Sequence, residues 1–415
     1  MYMYKKFTWI TSDFILLILG QTVSRMGSIF YRVVISWYIY KITNSAFCLS
    51  LYLFVETVPR IVLKPIIGSI IGYINKLKII IYTDLLNGLL ILGVSYFTWN
   101  VSQESAFFVL LFFGFAKGIF DAFFSIAINT IFPEIIIQNN LDKAFSLNQS
   151  SYQFAGIFGL TLGSLIFDKF GVTVCMLLNG ISYLLSAFSE LFIKYKSPKR
   201  DFRGFVFFKK SIVLQKILQY KQLLINNKMT VGKVFFISGA MLVISSPLIN
   251  PILLATFSKY NNTSITSITF VNLVMSVFSL FSGMIFSLKD RWNVEENRLI
   301  SFNFLIIAIV YFLLLVATIR KYISSFVFVA LICCAFAILA MISPIISSLF
   351  YKKIIINAKN EYRNETIALY GFTNDIAQNV GVLVMGSLFD VNAYICILCG
   401  LVISTLVILY IRKVY

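Results

Sequence analysis

Three charged side chains lie within one apolar run. In "FVETVPRIVLKP", residues 54–65, Glu56, Arg60 and Lys64 recur at every fourth position. On a helix that spacing places them in one stripe. Other apolar runs carry charge as well. Arg25 and Arg32 are seven apart in the first run, and Lys117 and Asp121 are an i, i+4 pair in the fourth. Asp375 lies in the eleventh, while Asp84 and Glu190 lie nearer the expected helix ends. These residue types suit ion pairing, proton binding and the holding of a charged solute. Neighbouring cations favour the ionised form of a carboxylate and burial favours its neutral form, so Glu56, Asp121, Asp84 and Asp375 are the candidate proton carriers. The chain has no histidine, so proton chemistry must use carboxylates.

The elements that must position these groups follow from composition. The chain has 415 residues, 59% of them hydrophobic and 13% charged. Its mean hydropathy is +0.88. Runs of about 20 apolar residues recur along its length, each long enough to cross a bilayer as a helix. A β-barrel is excluded, because barrel strands alternate in polarity. The expected spans are 13–40, 45–72, 78–99, 105–132, 144–168, 171–194, 232–258, 264–288, 298–319, 323–351, 364–389 and 392–411. The first run reads as a retained span, being about twice the apolar length of a cleavable signal. The fold class is therefore an all-α membrane protein of twelve transmembrane helices in two six-helix bundles, 1–194 and 232–415. The stretch 195–231 between them is a cytoplasmic linker, either plainly solvated or forming an interfacial helix with Val213, Ile217, Leu218 and Leu224 roughly on one face.

Charge sets the expected orientation. The formal net charge is +18. With a cytoplasmic N-terminus, Lys5, Lys6, Lys76, Lys78, the basic set from Lys194 to Lys233, Lys352, Lys353, Lys359, Arg363, Arg412 and Lys413 all fall inside. That is the positive-inside bias, and it places both termini in the cytoplasm. Topology accounts for the basic residues without a nucleic-acid partner. The six cysteines lie in or near apolar runs, and Cys396 with Cys399 lacks the histidine that would complete a metal site. No metal and no cofactor are expected. The absence of a P-loop motif argues against ATP-driven chemistry, and the short loops against an enzyme.

The two halves echo each other. "NNLDKAFSLNQSSYQFAGIFGLTLGSLIFD" (139–168) and "NEYRNETIALYGFTNDIAQNVGVLVMGSLFD" (360–390) both run from a polar loop through a glycine-rich helix to Gly-Ser-Leu and an aspartate. Six plus six spans with such an echo point to an inverted or parallel repeat of the transporter kind.

On these features the chain resembles a major facilitator superfamily transporter, and more narrowly the branch of macrolide-efflux proteins and the enterobactin exporter. "FILLILGQTVSRMGSIFYRVVISWYIYKITNSAFCLSL" (14–51), "YTDLLNGLLIL" (82–92), "FPEIIIQNNLDKAFSLNQSSYQFAGIFGLTLGSLI" (132–166) and "EYRNETIALYGFTNDIAQNVGVLVMGSLF" (361–389) carry the likeness. The family's loop between spans two and three, roughly G-x-x-x-D-R-x-x-R-[RK], corresponds to "GSIIGYINKLK". Gly68 is kept, Gly72 and Tyr73 stand for the Asp and Arg, and Lys76 and Lys78 retain positive charge. The resemblance implies a gating loop there, with Asp84 as a partial replacement for the missing acid. Leu160 replaces the proline of the span-five motif, and Lys117 stands for the basic residue of span four.

The resemblance further implies proton-coupled efflux of a small amphipathic molecule, whether anionic, siderophore-like or an antibiotic, by alternating access, in a bacterial plasma membrane and as a monomer among lipids. The direction of transport comes from the resemblance and from no single residue. Spans one and four would line the cavity, with span two beside them. At 1.5 Å per residue, Arg25 and Glu56 both lie about 17–18 Å from their helix starts, near mid-bilayer. The expected site is an ion network of Arg25, Glu56, Arg60, Lys117 and Asp121, with Glu56 paired to Arg60. Arg32 and Asn250 are further cavity candidates. Arg25, Arg32, Arg60, Lys64 and Lys117 outnumber Glu56, Asp84 and Asp121, so an anionic, siderophore-like or carboxylate-bearing substrate is expected. The alternatives are a lipid flippase, or a sensor or immunity protein on the same fold.

Overall fold

A computed structural model describes residues 11–100, 103–135, 141–195, 230–260, 265–288, 295–319, 325–357 and 363–414. Among these, every regular element is helical. The helices are α1 (Ser12–Thr43), α2 (Ala46–Ile70), α3 (Lys76–Asn100), α4 (Gln103–Ile135), α5 (Leu141–Glu190), α6 (Thr230–Pro247), α7 (Leu253–Tyr260), α8 (Ile265–Leu288), α9 (Glu296–Ile319), α10 (Ser325–Asn357), α11 (Arg363–Val391) and α12 (Ala393–Val414). Eight helices among the described residues are long and apolar enough to cross a membrane, and Ser151–Phe167, Gly232–Pro247 and Ser267–Ser282 are shorter apolar helices. The linker 195–231, where an interfacial helix is expected, lies almost wholly outside the described residues.

Local chemistry sets the ends of these helices. The Thr11 side chain accepts the backbone N–H of Phe14 at 3.1 Å and so caps α1. At its other end Asn44 takes the left-handed conformation, φ 47°, and its N–H returns to Tyr40 O at 2.7 Å. Ser45 then caps α2 by accepting from Cys48 N at 3.0 Å. In α5 the chain breaks at Gly171, φ +77°, a conformation that L side chains avoid, so α5 is two helical segments joined at one residue. The α6 helix ends at Pro247, and a π-helical turn, Leu248–Ile252, carries Pro251 into α7. This is the kink the two prolines predict, since each removes a backbone donor.

The chain divides into two compact units. One comprises Met1–Asn44 with Val55–Phe202, the other Ser45–Phe54 with Arg203–Tyr415. The boundary runs through α2, whose first turns pack with the second unit. There Asp390, at the end of α11, accepts from Ala46 N and Phe47 N at 2.8 Å each, and from the Ser45 hydroxyl. A carboxylate is favourable at a helix N-terminus, where backbone donors converge. Asp390→Ala is expected to lower stability by about 1 kcal/mol, read as a fall in the midpoint of thermal unfolding. Asp390→Asn, which keeps an acceptor, should lose less.

The echoed segments pack alike within their own units. A Cβ added to Gly159 would sit 2.6 Å from Met26 O on α1, and one added to Gly381 would sit 2.5 Å from Val243 O on α6. Each glycine therefore lets its helix touch the backbone of the repeat-equivalent partner. On α4, Phe108, Phe112 and Phe115 are exposed at helical spacing, an apolar face suited to lipid.

Candidate functional site

The site forms in the first unit where α2 and α4 nearly touch. A Cβ on Gly118 would lie 2.1 Å from the Glu56 carbonyl oxygen, so only glycine permits this approach. The contact brings Lys117, one residue before Gly118, against the Glu56 side chain. Lys117 Nζ lies 2.9 Å from Glu56 Oε1 and 2.6 Å from Asp121 Oδ2. The second distance is the i, i+4 pair within α4; the first joins two helices. Lys117 is buried, and its two partners are only slightly more accessible. Asn87 on α3 donates to the remaining oxygen of Asp121 at 3.2 Å. One ammonium group thus serves two carboxylates, a triad with one negative charge in excess.

Of the three arginines expected at this site, none joins the triad directly. Arg60 does not pair with Glu56 as expected. Its Nη2 donates to Thr57 Oγ1 at 3.3 Å, because Lys117 already occupies the Glu56 carboxylate from the facing helix. Arg60 still lies within electrostatic range of Glu56. Arg25 reaches α5 instead. Its Nη1 donates to Asn148 Oδ1 at 2.8 Å and Ser151 Oγ at 3.0 Å, and its guanidinium stands 5.9 Å from the Tyr152 ring. Arg32 is exposed, yet it lies within electrostatic range of Glu56, Asp121, Tyr152 and Tyr183. Lys64 is exposed.

Asp84 and Glu190 depart most from expectation. Placement near helix ends suggests side chains that reach for the membrane surface, but both are fully buried. They belong to a polar seam where α1, α3 and the second segment of α5 meet. Gln21 Nε2 donates to Glu190 Oε1 at 2.7 Å, and Ser186 Oγ lies 3.4 Å from the same oxygen. Asp84 is also within electrostatic range of Glu190, Asp121 and Arg25. Burial inside the unit rather than in lipid is what makes these charges tolerable. Sequence reasoning missed the pairing, but a signal exists. Asn179, Ser182, Ser186 and Glu190 recur at helical spacing in an otherwise apolar segment, and all four are buried.

The loop between α2 and α3 contains a short 3-10 turn, Ile71–Tyr73, that includes Gly72. Gly68 has open space around it. Lys78 is exposed, and its backbone N–H is capped by Asn75 Oδ1 at 3.2 Å. Lys76 is buried and pairs with Glu134 on α4, which also accepts from the Tyr195 hydroxyl. Glu134 is therefore the acid partner of this loop. Asp84 does not replace the missing aspartate, since it lies within the seam.

The second unit holds fewer charges. Asn374 accepts from Ser238 Oγ at 3.1 Å, joining α11 to α6, and Asp375 is half-buried. Asn250 lies in the π-helical turn, with its side chain outside the described residues. All six cysteines are free thiols. Among the described residues no group of three His, Cys, Asp or Glu side chains could hold a metal.

The Major Facilitator Superfamily model matches residues 17–382, nearly the whole helical chain. The chain belongs to the Major Facilitator Superfamily. Solved structures agree on the fold of this superfamily member. A bacterial homologue of the iron transporter ferroportin, in an inward-facing state, superposes with a TM-score of 0.71 at 16% identity, covering 97% of this chain and 98% of that one. The nucleoside transporter NupG gives 0.73 at 11% identity over 97% and 100%, and a peptide transporter POT gives 0.71 at 11% over 98% and 96%. Among curated proteins, BacE, the provisional bacilysin exporter of Bacillus subtilis (strain 168), is 24% identical over 134 residues. Its counterpart in Bacillus amyloliquefaciens is 25% identical over the same length. The matched stretch spans 32% of this chain and 32% of each relative. This superfamily member is thus a multi-pass membrane protein with exporter-named relatives.

Proposed function

We propose that the protein is a secondary active exporter that exchanges protons for a small amphipathic molecule carrying an anionic group, by alternating access. Its twelve spans form two six-helix bundles, 1–194 and 232–415, joined by the linker 195–231. Both termini lie in the cytoplasm and the protein works as a monomer in the cell membrane. The observation that carries this reading is the Lys117 bridge to Glu56 and Asp121, with the accessible Arg32 in electrostatic range of both acids. The resemblance to the efflux branch and the exporter-named relatives support the outward direction.

Glu190 alters the charge count behind the substrate class. With it, four acids (Glu56, Asp84, Asp121, Glu190) face four buried or partly accessible cations (Arg25, Arg32, Arg60, Lys117), and Lys64 is exposed outside the triad. Total charge is even, but access to it is uneven. Asp84 and Glu190 are sealed, whereas Arg32 is exposed and Arg25 and Arg60 are half-buried. A substrate therefore meets cations first. Arg32→Gln is expected to weaken transport of carboxylate-bearing substrates about tenfold, the scale of one lost charged hydrogen bond, and to leave cationic substrates unaffected. Preference for cations by the parent protein would overturn this substrate class.

In the coupling step, protonation of Asp121 removes one of the two anions on Lys117. The ammonium then turns wholly to Glu56, which tightens the tie between α4 and α2. Proteoliposomes holding wild type, Glu56→Gln or Asp121→Asn test this, with substrate flux and proton movement read together. Asp121→Asn should abolish proton-driven accumulation while substrate binding survives. Normal coupling in both variants would make the triad structural and move the proton site to Asp84 or Asp375. Lipid movement independent of any gradient would favour a flippase instead.

A further inference from the structure

The seam between α1, α3 and the second segment of α5 has an excess of acceptors. Neither oxygen of Asp84 has a hydrogen-bond partner of normal geometry among the described residues, and the same holds for Glu190 Oε2, Gln21 Oε1 and Asn87 Oδ1. All four residues are within about one per cent of complete burial. Every unpartnered atom on these residues is an acceptor. The amide orientations are set by what the nitrogens do: Gln21 Nε2 donates to Glu190, and Asn87 Nδ2 to Asp121. Asn87 follows Asp84 by three residues on α3, so the two share a helix face. Ser186 lies beside both carboxylates, and its single proton can serve only one of them.

We propose that Asp84, Glu190, Gln21, Asn87 and Ser186 form a binding site for a small hard cation of the alkali class. A proton shared between the carboxylates would satisfy two of the five oxygens and leave three. A cation held by several oxygens meets them all, and carboxylate and carbonyl oxygens suit hard ions. The chain has no histidine, and no cysteine belongs to the seam, so a soft metal is poorly matched.

Charge selects the valence. Once they give up their protons to the ion, the two carboxylates contribute two negative charges, and neither has an ion-pair partner among the described residues. Arg25 on α1 lies within electrostatic range of Asp84 and spends its own hydrogen bonds on the neutral Asn148 and Ser151. From α4, Asp121 adds repulsion at Asp84, but it is held by Lys117. From α5, Tyr183 faces the same region as a neutral phenol, bonded to Ser28. One positive charge remains to be supplied, which a monovalent ion provides. The site adjoins the Lys117 triad through Asn87, which donates to Asp121, but ion binding needs no transport substrate, so its test is independent of the proposed efflux.

Thermal unfolding of the purified full chain in detergent, at constant ionic strength, provides that test. Sodium chloride is titrated against choline chloride, with potassium and calcium as parallel arms. The expected result is a saturable rise in midpoint with sodium but not with choline. Half-saturation should weaken about tenfold in Gln21→Ala and in Asn87→Ala, which leave both carboxylates in place. It should vanish in Glu190→Gln. Equal behaviour in sodium and choline, with only a pH-dependent midpoint, would overturn the proposal in favour of a bound proton. Protection by calcium at much lower concentration than sodium would overturn the monovalent assignment. Unchanged sodium protection in all three variants would place the ion elsewhere.

Discussion

Lys117→Met is expected to be the most damaging single change in the first unit. It removes the only side chain in ion-pair contact with both Glu56 and Asp121 among the described residues, and leaves two acids from facing helices against each other. Breaking a buried pair by deleting one partner costs about 3–5 kcal/mol, because the remaining charge stays desolvated. Most of that cost is not the worth of the bond itself. The triple variant Lys117→Met, Glu56→Gln, Asp121→Asn should therefore recover much of the stability, since all three charges leave together. Thermal unfolding separates the two: a low midpoint for the single variant, and one close to wild type for the triple. Transport should be lost in both. A triple variant that still couples protons to substrate would show the triad to be a packing device.

Gly118→Ala should reproduce part of this effect without touching a charge. The new Cβ would sit 2.1 Å from the Glu56 carbonyl oxygen and 3.1 Å from its carbon, atoms of a helix backbone that cannot rotate away. Relief requires α2 to move off α4. Overpacking of this kind costs about 1–3 kcal/mol. The same movement pulls Glu56 from Lys117, now 2.9 Å apart. The expected result is a lower unfolding midpoint together with impaired coupling. Gly68→Ala, on α2 and with no atom within 4 Å of its added Cβ, is the control and should be silent. If Gly118→Ala were silent too, helix contact would not be what positions the triad.

The polar seam shows why some pairings escape a reading of sequence. Lys117 and Asp121 are visible as a pair because four residues bring a side chain back to the same helix face. Glu56 and Lys117 lie 61 positions apart, and Glu190 and Gln21 lie 169 apart. Nothing in local periodicity says which face of α2 turns toward α4, or which of two nearby cations a carboxylate will take. Arg60 is the nearer partner in sequence for Glu56, but Gly118 allows α4 so close that Lys117 takes that carboxylate first. Glu134 was likewise hidden, because its partner Lys76, the first residue of α3, lies 58 positions away.

Composition and patterning were enough for the class of the molecule. Long apolar runs permit only helices across a bilayer, since lipid offers the backbone no hydrogen bonds. The echoed segments carried the repeat, and the two prolines the break between α6 and α7. These are local or additive properties, legible residue by residue. The partners of each buried charge were decided by tertiary structure alone. They depend on helix rotation and on close contacts at Gly118, Gly159 and Gly381, where the absence of one carbon atom sets the distance between backbones. A buried charge takes whichever partner packing brings within about 3 Å, because in a medium of low polarity the energy of a pair falls steeply with distance and desolvation penalises every group left unpaired.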